Sequence, residues 1–233
     1  MNKKMSDNWI FRWIYYVLGL IILSLGITLN TKTLLGVSAI SSLPYVFSKI
    51  GDFSFGNATL AIYIIMVAAQ FVIKGKDRNL IDLLQIPLSI VFTRFINIYD
   101  YILKFENISL GKRIALLMLA TAFIGIGSAM TVNMKLVANP GDAVVSAIAD
   151  KVGYSMGLTK NIFDVICVCV SAALGVIFLN TPVGIGAGTI VLAIGVGRVI
   201  SLFNKLFKEK MESQAGLFTL NNIEYKNRED VFE

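Results

Sequence analysis

Four stretches of this chain, at about 13–31, 53–73, 114–134 and 165–197, contain no Asp, Glu, Lys or Arg. A helix needs roughly 20 apolar residues to cross a bilayer core, and each stretch is close to that length or beyond it. Inside hydrocarbon the backbone must satisfy its own polar groups, which leaves helices or a closed barrel. Runs this long and this apolar are helices, because barrel strands are about half the length and alternate in polarity. The last run is long enough for two crossings and is broken at Asn180-Thr181-Pro182-Val183-Gly184-Ile185-Gly186, a turn signal. A composition of 56% hydrophobic residues, with a mean hydropathy of +0.73, suits a chain that lives in the membrane.

The chain also carries one unit twice. Lys49-Ile-Gly-Asp-Phe-Ser-Phe-Gly56 returns as Lys151-Val-Gly-Tyr-Ser-Met-Gly157 with one residue fewer. Extended outward, Gly26 falls on Gly127 and Arg94 on Arg198. Each copy reads as three spans, and an odd number makes the copies insert in opposite directions. The repeat also supplies a third span at about 81–98, weak in itself because Asp82 and Arg94 bound a short core containing Pro87.

The expected fold is therefore an all-α integral membrane protein with six transmembrane helices arranged as two inverted three-helix repeats. Each repeat has a short amphipathic or re-entrant helix between its first and second spans, within 35–50 and 139–152. In the second copy Pro140 stands near the start of that helix and Gly153 just past its end, as helix termini prefer. The expected organisation is a cytoplasmic N-terminus at 1–12, a first repeat at 13–100 (spans 13–31, 53–73, 81–98) and an external linker at 101–113. A second repeat at 114–207 (spans 114–134, 159–179, 183–205) leads into a cytoplasmic polar tail at 208–233, which reads as disordered.

Lysine and arginine set the orientation. With the N-terminus inside, the inner segments hold twelve of them and the outer segments five, so both termini are expected in the cytoplasm of a cell whose plasma membrane the chain crosses. Cytoplasmic flanks and anionic headgroups then account for the net charge of +6 without a nucleic-acid partner. The first apolar segment follows a basic start but lacks a small-residue cleavage site, so it reads as a retained helix. Cys167 and Cys169 sit two apart on one helix and point to different faces, which argues against a disulfide or a paired-cysteine metal site.

The chain has no histidine. A Ser-His-Asp triad, a Cys-His pair, histidine-ligated zinc and a histidine relay are excluded, and no phosphate-binding Gly-Lys-Ser/Thr loop is present. No enzyme, cofactor or metal is expected. The polar groups within the spans remain. Asp164 lies about one turn into the fifth span, with Lys160 one turn earlier as its expected partner. Asp142 and Asn139 stand at the start of the second short helix, where a carboxylate can also serve as a cap. Asn139, Asp142, Lys160 and Asp164 are the candidate substrate-binding residues, and Arg94 and Arg198 are structural or functional candidates expected to snorkel at helix ends. Ile40 and Tyr63 stand opposite Asp142 and Asp164 in the repeat alignment, so any role of these acids belongs to the second repeat.

The Asn139-Pro-Gly-Asp142 segment, Ser155-x-Gly157, Asp164 and Gly186-x-Gly188-Thr189 resemble, in order and spacing, the YczE/YyaS/YitT-like bacterial integral membrane proteins over about 12–207. The resemblance implies a polytopic plasma-membrane protein, with some relatives grouped among exporters. This chain departs from the pattern in its first copy, which reads Gly36-Val37-Ser38, and its third span lacks the glycine-rich start of the sixth.

Inverted repetition with intramembrane charge points to a secondary transporter or exporter of a small organic solute. The alternative is a non-catalytic membrane subunit, either a substrate-binding component or a scaffold for another complex. The expected partners are the lipid bilayer, an unknown small molecule, and either a second copy of the chain or another membrane protein.

Overall fold

A computed structural model describes residues 8–105 and 108–217. The described residues are helical and contain no strand. Six helices are long and apolar enough to cross a membrane: Trp9–Thr33, Phe55–Asp77, Leu80–Ile102, Leu110–Asn133, Met156–Leu179 and Ala187–Gln214. Their α-helical parts are α1 (Trp9–Thr33), α3 (Phe55–Lys74), α4 (Gln85–Ile102), α5 (Leu110–Asn133), α7 (Met156–Leu179) and α8 (Ala187–Phe203). Two shorter helices, α2 (Ala39–Ile50) and α6 (Pro140–Val152), fall between first and second spans on each side.

The weak third span is helical because its awkward residues sit where they do least harm. Pro87 lies in the first turn of α4, where a missing N–H breaks no intrahelical bond. Asp82 lies in the 3₁₀ turn Leu80–Leu84 before it and is paired with Lys74 at the end of α3, 2.7 Å away.

The most extensive helix–helix contact joins α1 to α5. Gly19 faces Met130 and Thr131 while Gly26 faces Ile124, so the two helices run antiparallel. A Cβ added to Gly127 would stand 2.5 Å from Leu23 N, and one added to Gly26 would stand 2.7 Å from Ile124 N. Glycine here lets backbones approach without hydrophobic drive, the usual solution in lipid. The buried serine and threonine hydroxyls of α1 bond within their own helix: Ser24 to Ile21 O, Thr28 to Ser24 O, Thr31 to Thr28 O and Thr33 to Asn30 O.

Around this seam α2 packs on α7 and α3 on α6, while α4 lies against α1 and α8 against α5. Buried Ser42 on α2 meets Ser171 Oγ at 2.8 Å on α7. Cys167 is buried and Cys169 exposed, on different faces as their spacing requires. α3 and α4 also lie together, whereas among the described residues α7 and α8 make no comparable contact.

The tail departs from expectation in its first part. Helix α8 continues through a π-helical turn at Asn204–Lys208 into α9 (Glu209–Gln214). Met211, Ala215 and Leu217 are buried, and the Tyr15 hydroxyl donates to Gln214 Oε1. Charge dominates the composition of this stretch, but its few apolar residues are gathered where they can pack against the bundle. Residues 218–233 of the expected tail lie outside the described residues.

Candidate functional site

One cavity of about 560 Å³ lies between α1, α3, α4, α5 and α6. It runs from Tyr63 and Phe92, whose rings stack at 6.1 Å in the middle of the bundle, to Lys74, Asp82 and Lys135 where helices end. Leu20 and Leu23 of α1 and Leu88 of α4 make its apolar wall. On α4 the lining residues Gln85, Leu88, Ser89 and Phe92 follow the i, i+3, i+4, i+7 spacing of one helix face. The volume falls within the usual range of ligand cavities, roughly 300–1,000 Å³.

Two polar groups face each other across this space. On the α6 side, Asn139 caps α6 by accepting from Gly141 N at 3.0 Å, and its amide donates to the Tyr63 hydroxyl at 3.3 Å. Asp142 receives Lys160 Nζ at 2.7 Å. Asn139 and Asp142 line the cavity, and Lys160 stands behind Asp142 on α7. Two expectations are thereby corrected. Lys160 pairs with Asp142 and not with Asp164, because α6 folds back against α7 and brings the nearer carboxylate to the ammonium. The cap of α6 is Asn139 and not Asp142, since the N-cap position, which precedes Pro140, is filled by an amide oxygen.

Asp164 is half-buried on α7; among the described residues no hydrogen bond or ion pair reaches it, and it does not line the cavity. Arg94 and Arg198 also lie off the cavity, exposed on α4 and α8. Neither is in a terminal turn: Arg94 is followed by eight further residues of α4 and Arg198 by five of α8 before its π-helical continuation.

The other polar group belongs to α3, α4 and the turn between them and was not among the candidates. Asp82 Oδ2 accepts from Lys74 Nζ at 2.7 Å and from Gln70 Nε2 at 2.9 Å. Gln70 Oε1 in turn accepts from Gln85 Nε2 at 3.0 Å. Gln70 and Gln85 are buried, at 1% and 2% exposure. A signal was available, since two glutamines and an acid within one hairpin of spans are costly unless they satisfy one another.

At the opposite end of the bundle the segments 35–37 and 184–188 are in direct backbone contact. Val37 N donates to Gly184 O and Gly188 N to Leu35 O, each at 2.8 Å, and Asn30 Nδ2 holds Gly36 O at 3.0 Å. A side chain would prevent this contact: a Cβ on Gly186 would stand 2.5 Å from Leu35 O, and Gly36 and Gly184 take positive φ of 117° and 80°.

Six apolar spans, four of them around a partly polar cavity, define a multi-pass α-helical membrane protein with a ligand-sized site. Over residues 10–205 the chain matches a family of unknown function, DUF6198, and it belongs to that family. It is also 27% identical over 199 residues to the "Uncharacterized membrane protein YczE" of Bacillus subtilis (strain 168), covering 84% of this chain and 86% of that one. The YczE-like resemblance read from the sequence is therefore established. No solved structure matches the chain.

Proposed function

We propose that the protein is a secondary transporter or exporter of a small organic solute in the plasma membrane, built from two inverted repeats with re-entrant α2 and α6 and with both termini cytoplasmic. The observation that carries this is the unequal treatment of equivalent places. In the repeat alignment Leu35–Val37 stands opposite 137–139, and 184–189 opposite 80–85. Leu35–Val37 meets 184–188 in direct backbone hydrogen bonds, whereas their counterparts, 137–139 and 80–85, line the cavity. A site closed towards one side and open towards the other is what alternating access requires of one state.

Three further features support this reading. The helix pairings α2 with α7 and α3 with α6 are what a two-fold relation between repeats would produce. Ile40 presses on Gly141, so the N-termini of α2 and α6 meet. Asn139 reaches Tyr63, eight residues into α3 and roughly 12 Å along it at 1.5 Å per residue, a depth suited to a re-entrant helix.

Single cysteines at Ser89 in the cavity and at Val37 in the closed contact test this, with Cys167 and Cys169 first replaced by alanine. A membrane-impermeant maleimide applied to right-side-out and inverted vesicles should reach Ser89→Cys from the side of Lys74 and, in a smaller fraction of molecules, Val37→Cys from the other side. Reactivity at Ser89 from one side, with Val37 never reached, would overturn transport in favour of a fixed binding subunit.

A further inference from the structure

The Asp82–Gln70–Gln85 chain has a direction. A carboxylate only accepts, so Gln70 must turn its amide nitrogen to Asp82, which leaves its oxygen to accept from Gln85 Nε2. The last oxygen, Gln85 Oε1, then has no partner among the described residues although it is buried. An unpaired buried acceptor of this kind is destabilising. A segment on the cavity wall therefore holds a standing demand for a donor.

The charged groups around the cavity share that polarity. Asp82 Oδ2 takes both of the bonds described for its carboxylate, and Asp142 uses Oδ1 for Lys160, which leaves one oxygen of each acid without a described bond. The cations are committed: Lys74 is bound to Asp82, Lys160 to Asp142, and Lys135 is also partnered. An anionic head group would meet open carboxylate oxygens and committed ammonium groups, with only neutral hydroxyls such as those of Ser89 and Tyr63 left to donate to it. A donor-rich head would find acceptors and, beyond them, the wall of Leu20, Leu88 and Phe92 for an apolar body.

We infer that the cavity takes a small amphipathic amine, its N–H donors engaging Gln85 and Asp82 and its apolar part lying between α1 and α4. The inference deepens the transport reading and rests on its treatment of this cavity as the substrate site. Gln85 Oε1 sits just beneath the cavity wall, so engagement requires a turn of the amide about its last torsion, which is soft.

Three probes share one apolar body and differ in the head group: 4-phenylbutylamine, 4-phenylbutanol and 4-phenylbutanoate. Their binding to the full chain in nanodiscs should rank amine first and carboxylate last. Gln85→Met keeps the length of the side chain and removes the acceptor, and it should weaken the amine roughly tenfold, the equivalent of one hydrogen bond to a charged group. Asp82→Asn releases the direction of the relay and should narrow the preference for amine over carboxylate. A carboxylate that binds at least as tightly as the amine, or amine affinity unchanged in a folded Gln85→Met protein, overturns the inference. Should Gln85→Met fail to fold, an unaltered amine preference in Asp82→Asn does the same. An amine that binds but is not carried across vesicles sinks the transport reading alone, and vesicles that carry another solute while no amine binds sink this inference alone.

Discussion

Replacing Asp82 by asparagine separates charge from shape in the network of Lys74, Asp82, Gln70 and Gln85. The side chains of Lys74 and Asp82 are 27% and 22% exposed, so water screens the pair only in part. Asparagine can still accept from Gln70, but a bond to a charged group, about 1.5–3 kcal/mol, becomes a neutral one of about 0.5–1.5 kcal/mol. Lys74 loses its counter-ion at the same time and turns outward. The two effects together predict a destabilisation of about 2 kcal/mol, discounted for that partial exposure. Lys74→Met in the Asp82→Asn background should then add little, giving a coupling of about 1–2 kcal/mol in the double-mutant cycle. Equilibrium unfolding in mixed micelles, followed by Trp9 and Trp13 fluorescence, measures all four corners. Strict additivity, within about 0.3 kcal/mol, would refute the reading of these groups as one network.

Other perturbations separate packing from charge. Gly127→Val places side-chain atoms against the backbone at Leu23 and should cost about 1–3 kcal/mol in the same unfolding assay, while Gly111→Val, where a Cβ meets nothing within 4 Å, should stay close to wild type. Asp142→Asn should cost less than Asp82→Asn, about 0.5–1 kcal/mol, because the Lys160 pair is about 40% exposed. Asp164→Asn, with no bond to lose, should change stability by under about 0.5 kcal/mol. A larger effect at Asp164 than at Asp142 would contradict the pairing described here.

Span number and the positions of the two short helices were legible because hydrocarbon enforces them: long uncharged runs leave the chain little choice. The third span was legible only through its counterpart, since Asp82 lies outside the regular helix and its pairing with Lys74 depends on a turn that no periodicity reveals. Asn139 and Asp142 were found because they stand at a helix start, a local signal. The pairing of Lys160 was misread because i, i+4 spacing favours Asp164, and only the return of α6 against α7 brings Asp142 closer. Gln70 and Gln85 carry no charge and were passed over, although burial gives an amide in lipid much of the weight of an ion.

The hydroxyls of α1 bear on how the protein is made. Helix α1 leaves the ribosome well before its main partner α5, which begins only at Leu110. At roughly 5–20 residues per second, α1 waits several seconds in the bilayer before that partner exists. Ser24, Thr28, Thr31 and Thr33, buried in the finished bundle, meet acyl chains in the meantime. Each already has an acceptor on the preceding turn of its own helix, so the helix can be stored in lipid with its hydroxyls satisfied. Assembly then has no hydroxyl bond to break before the two backbones close on their glycines.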